Sequence, residues 1–234
     1  MNQIFLHIMV SFLIFALMIL KKRICILLIM MTTPALYSFS VGQNLDYRIL
    51  KNLQDHRTET GSEVMRWTSN SVVLAPLASV GMAIGGWAAD NKPLLADAAT
   101  VGASMGTSLA LVMGTKYIVR RPRPYIKYEG DLVSVTTEPD PSFPSGHTVL
   151  AFSTATSLSM LYPRWYVVAP SMLWATAVGF SRLYLGVHYP SDVLVGALVG
   201  AGVAVFSYYM AQRLKEDTPW APSDAVVLSY KFSF

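Results

Sequence analysis

The chain has 234 residues and a formal net charge of +4, with 53% hydrophobic and only 14% charged residues. A soluble domain carries about a quarter charged residues, so this balance excludes disorder and points to a protein that lives in a bilayer. The lone cysteine, Cys25, excludes a disulfide scaffold and a thiolate zinc site, and charge scattered over short loops leaves no basic face for nucleic acid.

Residues 5–20 and 24–45 carry no Asp, Glu, Lys or Arg and flank the cluster Lys21-Lys22-Arg23. The cluster, the apolar stretch Ile24–Met31 and a polar stretch ending Ser38-Phe39-Ser40 have the layout of a secretory signal, with translation then starting at Met18. The alternative makes 24–40 a retained first membrane helix. In both cases Lys21–Arg23 stays cytoplasmic and residues 41–70 are exported. Within 41–70, Leu45, Ile49, Leu50 and Leu53 recur at helical spacing among Asp46, Arg48 and Lys51, which predicts an amphipathic helix lying in the membrane interface.

Further uncharged runs cover 71–89, 98–115, 147–162, 165–181 and 193–212, each near the length of one bilayer crossing. The pairs Gly81/Gly85, Gly102/Gly106 and Gly196/Gly200 have the small-residue spacing that lets membrane helices approach closely. The expected fold is therefore all-α, an integral membrane bundle of five or six transmembrane helices. Its parts are a signal-like segment or first membrane helix (1–40), an amphipathic exported segment (41–70), a core (71–212) and a polar tail (213–234). In the tail, Leu228, Tyr230, Phe232 and Phe234 alternate with a strand-like period.

Three polar stretches interrupt the apolar runs. The first extends from the 98–115 run through Lys116 to Arg120-Arg121-Pro122-Arg123-Pro124. It reads as a cytoplasmic basic loop, or as a helix that places Lys116 and Arg123, seven residues apart, on one face before the prolines stop it. The second, Pro144-Ser145-Gly146-His147, opens an apolar helix. It reads as an ordinary cap, or as an anion site in which Ser145 caps and Gly146 lets a ligand reach unpaired N–H groups. The third runs from Ser181-Arg182 to His188 and Asp192. Four residues separate His188 from Asp192, so the carboxylate can hold one imidazole nitrogen and leave the other free and more basic.

If 98–115 runs outward, 147–162 inward, 165–181 outward and 193–212 inward, all three stretches meet at one membrane face. Three cations around a helix start suit a phosphate with three equatorial oxygens. Two histidines beside it suit a nucleophile and a proton donor for the leaving group. Two histidines and Asp192 could form a metal-binding facial triad, but the adjacent Lys and Arg would repel a cation; no cofactor is expected.

These residues resemble the type 2 phosphatidic acid phosphatase superfamily, which also includes vanadium haloperoxidases and soluble bacterial acid phosphatases. Lys116 with Arg123-Pro124, Pro144 to His147, and Ser181-Arg182 with His188 and Asp192 match its three motifs at all eleven fixed positions, within residues 116–192. The resemblance implies that His188 attacks phosphorus and forms a phosphohistidine, that Asp192 holds its tautomer, and that His147 protonates the leaving oxygen and then activates water. It also implies that Lys116, Arg123, Arg182, Ser145 and the Gly146 N–H stabilise the equatorial oxygens, without a metal. The implied activity is hydrolysis of a lipid phosphate at the exported face of a bacterial inner membrane. Candidate substrates are undecaprenyl pyrophosphate, lipid A and phosphatidylglycerol phosphate. A soluble-type acid phosphatase or haloperoxidase on the same cage is the alternative. A protein that only binds or transports anions would need neither His188 nor His147.

Overall fold

The computed structural model describes residues 44–216; the signal-like segment and the alternating tail lie outside the described residues. The chain divides into two compact units between Leu45 and Asp46, and the second holds the helical bundle. Helix α1 covers 44–55. Thr58, whose hydroxyl accepts from the Gly61 N–H at 3.1 Å, starts α2 (Glu59–Asn70). A 3-10 turn, Ser71–Val73, joins α2 to α3 (Leu74–Ala88). Asn91 accepts from the Leu94 N–H at 3.0 Å and starts α4 (Lys92–Val119), with Pro93 in its first turn. The short α5 (Pro124–Lys127) follows, and residues 131–145 then run without helix. The last three helices are α6 (Gly146–Leu161), α7 (Trp165–Tyr184) and α8 (Pro190–Glu216).

Among the described residues every regular element is a helix, and each of the five uncharged runs from residue 71 onward falls almost wholly in helix. Among the described residues three stretches are long and apolar enough to cross a membrane: Glu59–Ala88, Lys92–Lys127 and Pro190–Leu214. Large apolar side chains such as Trp87, Ile118 and Trp165 point outward, as helices solvated by lipid allow. The protein is an integral membrane protein of helical-bundle architecture.

Helix α6 is the hub. It packs most extensively on α8, then on α7 and α4. Its buried face is made of small and hydroxyl residues, Ala151, Ser153, Thr154, Ala155 and Ser157 among them. The Ser153 hydroxyl bonds Ser104 at 2.6 Å and Ser108 at 3.2 Å on α4, so these three hydroxyls satisfy one another across the α4–α6 contact. The three glycine pairs are not equivalent. A Cβ at Gly200 would collide with the Val149 carbonyl oxygen and sit 3.0 Å from the Ser153 nitrogen, and one at Gly196 would sit 3.0 Å from the Ser145 carbonyl oxygen. By contrast, a Cβ at Gly81 or Gly106 would meet nothing within 4 Å. Only the α8 pair marks a close backbone crossing, and that crossing brings the start of α6 against the start of α8.

Replacing Gly200 by Ala is expected to destabilise the bundle by about 1–3 kcal/mol, the cost of overpacking a tight contact. Gly106→Ala is expected to leave stability unchanged. Thermal unfolding of the two variants in detergent checks this.

Candidate functional site

The site forms where α4, α7 and α8 end or begin around the start of α6. Lys116 lies in the last turn of α4 and is buried. The expectation that Lys116 and Arg123 share one helical face is not met. Arg120 adopts a left-handed conformation (φ 50°), and α4 ends at Val119. Pro122 bars the helical region for Arg121 and so prevents continuation. Arg123 is extended and precedes α5. The two cations nonetheless meet, because both reach Asp140: Lys116 Nζ at 2.6 Å from Oδ2, and Arg123 Nη2 at 2.6 Å from Oδ1.

Arg182, in the last turn of α7, donates to the Ser69 hydroxyl and pairs with Glu138. Glu138 also pairs with Arg123 at 2.7 Å, so one carboxylate bridges both guanidinium groups. The chain then turns at Gly186 (φ 76°), where a Cβ would sit 3.1 Å from the Val133 carbonyl oxygen and from Arg57 Nη2. The turn delivers His188, fully buried, with Nε2 3.2 Å from Arg123 Nη1. Its Nδ1 lies 3.4 Å from Asp192 Oδ2, within ion-pair reach but without a directed hydrogen bond. Asp192 also accepts from the Tyr189 N–H at 3.0 Å, which fixes it in the first turn of α8.

Ser145 precedes α6 but its hydroxyl does not cap the helix. It accepts instead from the Thr148 hydroxyl at 2.9 Å, and the Ser145 N–H donates to the Asp192 carbonyl oxygen at 3.2 Å. A Cβ at Gly146 would make only ordinary contact, 3.8 Å from Val112. Protein packing therefore does not demand glycine there, and the bare backbone is left approachable. His147 follows half-buried, within the electrostatic reach of Arg123, Lys116 and Asp140.

Several residues that shape the site were not singled out from the sequence. Arg121 is buried, pairs with Asp192 at 2.5 Å and Asp46 at 2.9 Å, and stacks 3.8 Å over the Tyr189 ring. Asp46 stood out only as a polar position on an amphipathic helix expected in the interface. In the structure it is buried, and its helix packs Leu50 against Leu132 and Tyr189. Glu138 and Asp140 come from the non-helical 131–145 segment, and only the density of acids and prolines there marked it. No local signal joins Ser69 to Arg182, which are 113 residues apart.

Burial drives the His188 ring down to about 3; the Asp192 carboxylate opposes this, while Arg182 and Arg123 add to the fall. The imidazole is thus neutral at physiological pH, and Arg123 Nη1 at 3.2 Å, which can only donate, favours the tautomer with its lone pair on Nε2. For Asp140, burial raises the carboxyl, but Lys116 and Arg123 outweigh it and hold it below the usual carboxylate range. Glu138 and Asp140 both serve cations, as does one oxygen of Asp192, so the carboxylates at the site are committed to guanidinium and ammonium groups.

The protonation state is directly measurable. An ordinary histidine with a pKa of about 6.5 is about 97% protonated at pH 5. Nitrogen NMR of histidine-labelled protein in detergent is expected to show His188, assigned with the His188→Ala variant, still neutral at that pH. A resonance titrating near 6.5 would contradict the burial account.

A family model described as PAP2 superfamily matches residues 97–216. An undecaprenyl-diphosphatase from Sulfolobus acidocaldarius is 32% identical over 101 residues, 42% of this chain and 48% of that protein. A lipid A 4'-phosphatase from Bacteroides thetaiotaomicron is 37% identical over 81 residues, 33% of this chain and 36% of that protein. The chain thus spans less than half the length of either relative. A crystal structure described as a transmembrane PAP2 type phosphatidylglycerolphosphate phosphatase from Bacillus subtilis superposes with a TM-score of 0.66 at 25% identity, covering 82% of this chain and 97% of that one.

Proposed function

The chain belongs to the PAP2 superfamily, and from that premise we propose that it hydrolyses the terminal phosphate of an envelope lipid through a phosphohistidine at His188. The observation that carries the reading is the burial of Lys116, Arg123 and Arg182, linked through Glu138 and Asp140, with Arg123 3.2 Å from Nε2 of His188 and Asp192 behind Nδ1. Binding alone requires cations; it does not require a buried imidazole with an orienting carboxylate.

In the first step His188 Nε2 attacks phosphorus, the bond to the leaving oxygen breaks, and His147 donates a proton to that oxygen. In the second step His147 takes a proton from water, which attacks the phosphohistidine and releases inorganic phosphate. Lys116, Arg123, Arg182, the Ser145 hydroxyl and the Gly146 N–H hold the equatorial oxygens, where charge accumulates. Asp192 keeps the proton of His188 on Nδ1, and this 3.4 Å contact tightens in the substrate complex, as catalytic hydrogen bonds often do. Undecaprenyl pyrophosphate, lipid A and phosphatidylglycerol phosphate all present a terminal phosphate on a lipid, and the relatives' activities span these classes. The basic cluster Lys21–Arg23, read by the positive-inside rule as cytoplasmic, supports a site on the exported face of a bacterial inner membrane. Outward apolar residues on the helices beside the site weigh against the soluble acid phosphatase and haloperoxidase alternative.

Phosphate release from these three lipids in detergent with excess EDTA tests the reading. Turnover of at least one, inhibited by vanadate as a mimic of the trigonal-bipyramidal transition state, is the expected result. Turnover of none, or turnover that needs added divalent ion, contradicts it.

The two histidines are expected to differ. His188→Ala should abolish turnover of every substrate. His147→Ala should cost about 10²–10⁴-fold with a lipid alkoxide leaving group, and much less with p-nitrophenyl phosphate, which departs without full protonation. Steady-state rates across leaving groups of graded pKa check this division of roles.

A further inference from the structure

In a bilayer the commonest phosphates are not monoesters. The phospholipids around such a site carry phosphodiesters at very high local concentration, each with one charge and two free oxygens. A cage of three cations would fill with these headgroups unless something denied it to them. The 131–145 segment offers that something. Glu138 gives one oxygen to Arg182 and the other to Arg123, and this second oxygen lies 4.0 Å from His188 Nε2. Asp140 gives one oxygen to Arg123 and the other to Lys116. The two carboxylates thus engage the same three cations that would hold the equatorial oxygens of a phosphate at His188.

The segment is held in this position. The Tyr125 hydroxyl donates to the Glu138 carbonyl oxygen at 3.0 Å and accepts from the Glu138 N–H at 3.1 Å. Arg123 Nε donates to the Asp140 carbonyl oxygen at 2.8 Å, and Lys116 donates to the Pro141 carbonyl oxygen. The side chains are still the part of the cage nearest water. Glu138 is 23% and Asp140 46% exposed, against 1% for Arg123 and 3% for Arg182. They can therefore swing outward while the cations stay fixed.

We propose that Glu138 and Asp140 are specificity-determining residues, a carboxylate stopper that only an anion with the charge and oxygens of a terminal phosphate displaces. The inference rests on the phosphatase reading of this site. Exchange of two carboxylates for a phosphate dianion keeps the charge balance of the cage and supplies an acceptor for each cation. A phosphodiester restores one charge of two and two oxygens of three, so it loses to the stopper. The stopper lowers affinity for every anion and lowers it most for the wrong ones, which is selectivity obtained through competition.

The test uses the full chain in detergent and the variants Glu138→Gln, Asp140→Asn, their combination, and Tyr125→Phe, which leaves both carboxylates and removes the hydroxyl that holds Glu138. Gln and Asn keep the shape of the side chains, and thermal unfolding reports whether the variants are folded. The probes are inorganic phosphate and a short-chain phosphatidylglycerol, a diester, as inhibitors of p-nitrophenyl phosphate hydrolysis. The double variant is expected to lower the phosphate inhibition constant by about tenfold or more, since each removed carboxylate gave up charge-assisted contacts that compete with the anion. It should also turn the diester into a measurable inhibitor, and Tyr125→Phe should shift both in the same direction by less. Inhibition constants that stay unchanged or rise overturn the stopper and leave Glu138 and Asp140 a structural role. If no phosphate ester is turned over by the unaltered protein, the phosphatase reading fails. The stopper is then decided by vanadate binding followed by vanadium NMR, which needs no turnover: tighter binding in the double variant supports it, and equal, weaker or absent binding overturns it.

Discussion

Four cations are buried at one end of this bundle: Lys116, Arg121, Arg123 and Arg182. Removing charge from water costs several kcal/mol per ion even after relaxation, unless each ion is paired and hydrogen-bonded. Much of the surrounding architecture answers that constraint. Arg121 is neutralised by Asp46 and Asp192, Arg123 by Glu138 and Asp140, Arg182 by Glu138, and Lys116 by Asp140. The pairing joins the first described helix, the 131–145 segment and the start of α8, which the apolar cluster of Leu50, Leu132 and Tyr189 also links. Electrostatic pairing and this small apolar cluster together close this end of the molecule.

The Arg121 pairing extends to the nucleophile. Asp192 divides its two oxygens, one toward His188 and one toward Arg121. The Arg121 guanidinium at 2.5 Å fixes the plane of that carboxylate. Arg121 thus positions Asp192 as Asp192 positions His188, and Asp46 on α1 completes the chain. Small-residue packing sets the scaffold beneath: Gly196 and Gly200 let α8 press against α6, and the Ser145 N–H then reaches the Asp192 carbonyl oxygen.

How much of this could be read from residues alone varies with distance along the chain. The helices were legible because uncharged runs in a lipid-solvated bundle have few alternatives, and α4, α7 and α8 enclose the runs at 98–115, 165–181 and 193–212. His188 and Asp192 were legible as a pair because they lie within one turn. The meeting of Lys116 and Arg123 was anticipated for an incorrect reason. A shared helical face was one of two readings of this stretch, whereas the left-handed Arg120 ends the helix and Asp140 brings the two together. The close glycine crossing could not be told from its two looser counterparts, since GxxxG spacing says nothing about what faces it. The contacts of Asp46 with Arg121, and of Glu138 and Ser69 with Arg182, were not legible because the partners lie 75, 44 and 113 residues away, and nothing in local sequence encodes such a contact.

The central claim is that the cage delivers a phosphate to Nε2 of His188. The most direct measurement is mass spectrometry of the protein mixed with a substrate and quenched in alkali, conditions under which a phosphoramidate survives. A peptide carrying phosphate on His188, absent from the His188→Ala variant and, with p-nitrophenyl phosphate as substrate, accumulating when His147 is replaced so that water attack is slowed, is the predicted result. Turnover without any phosphorylated peptide, or phosphate found on His147 or another residue, would contradict the account.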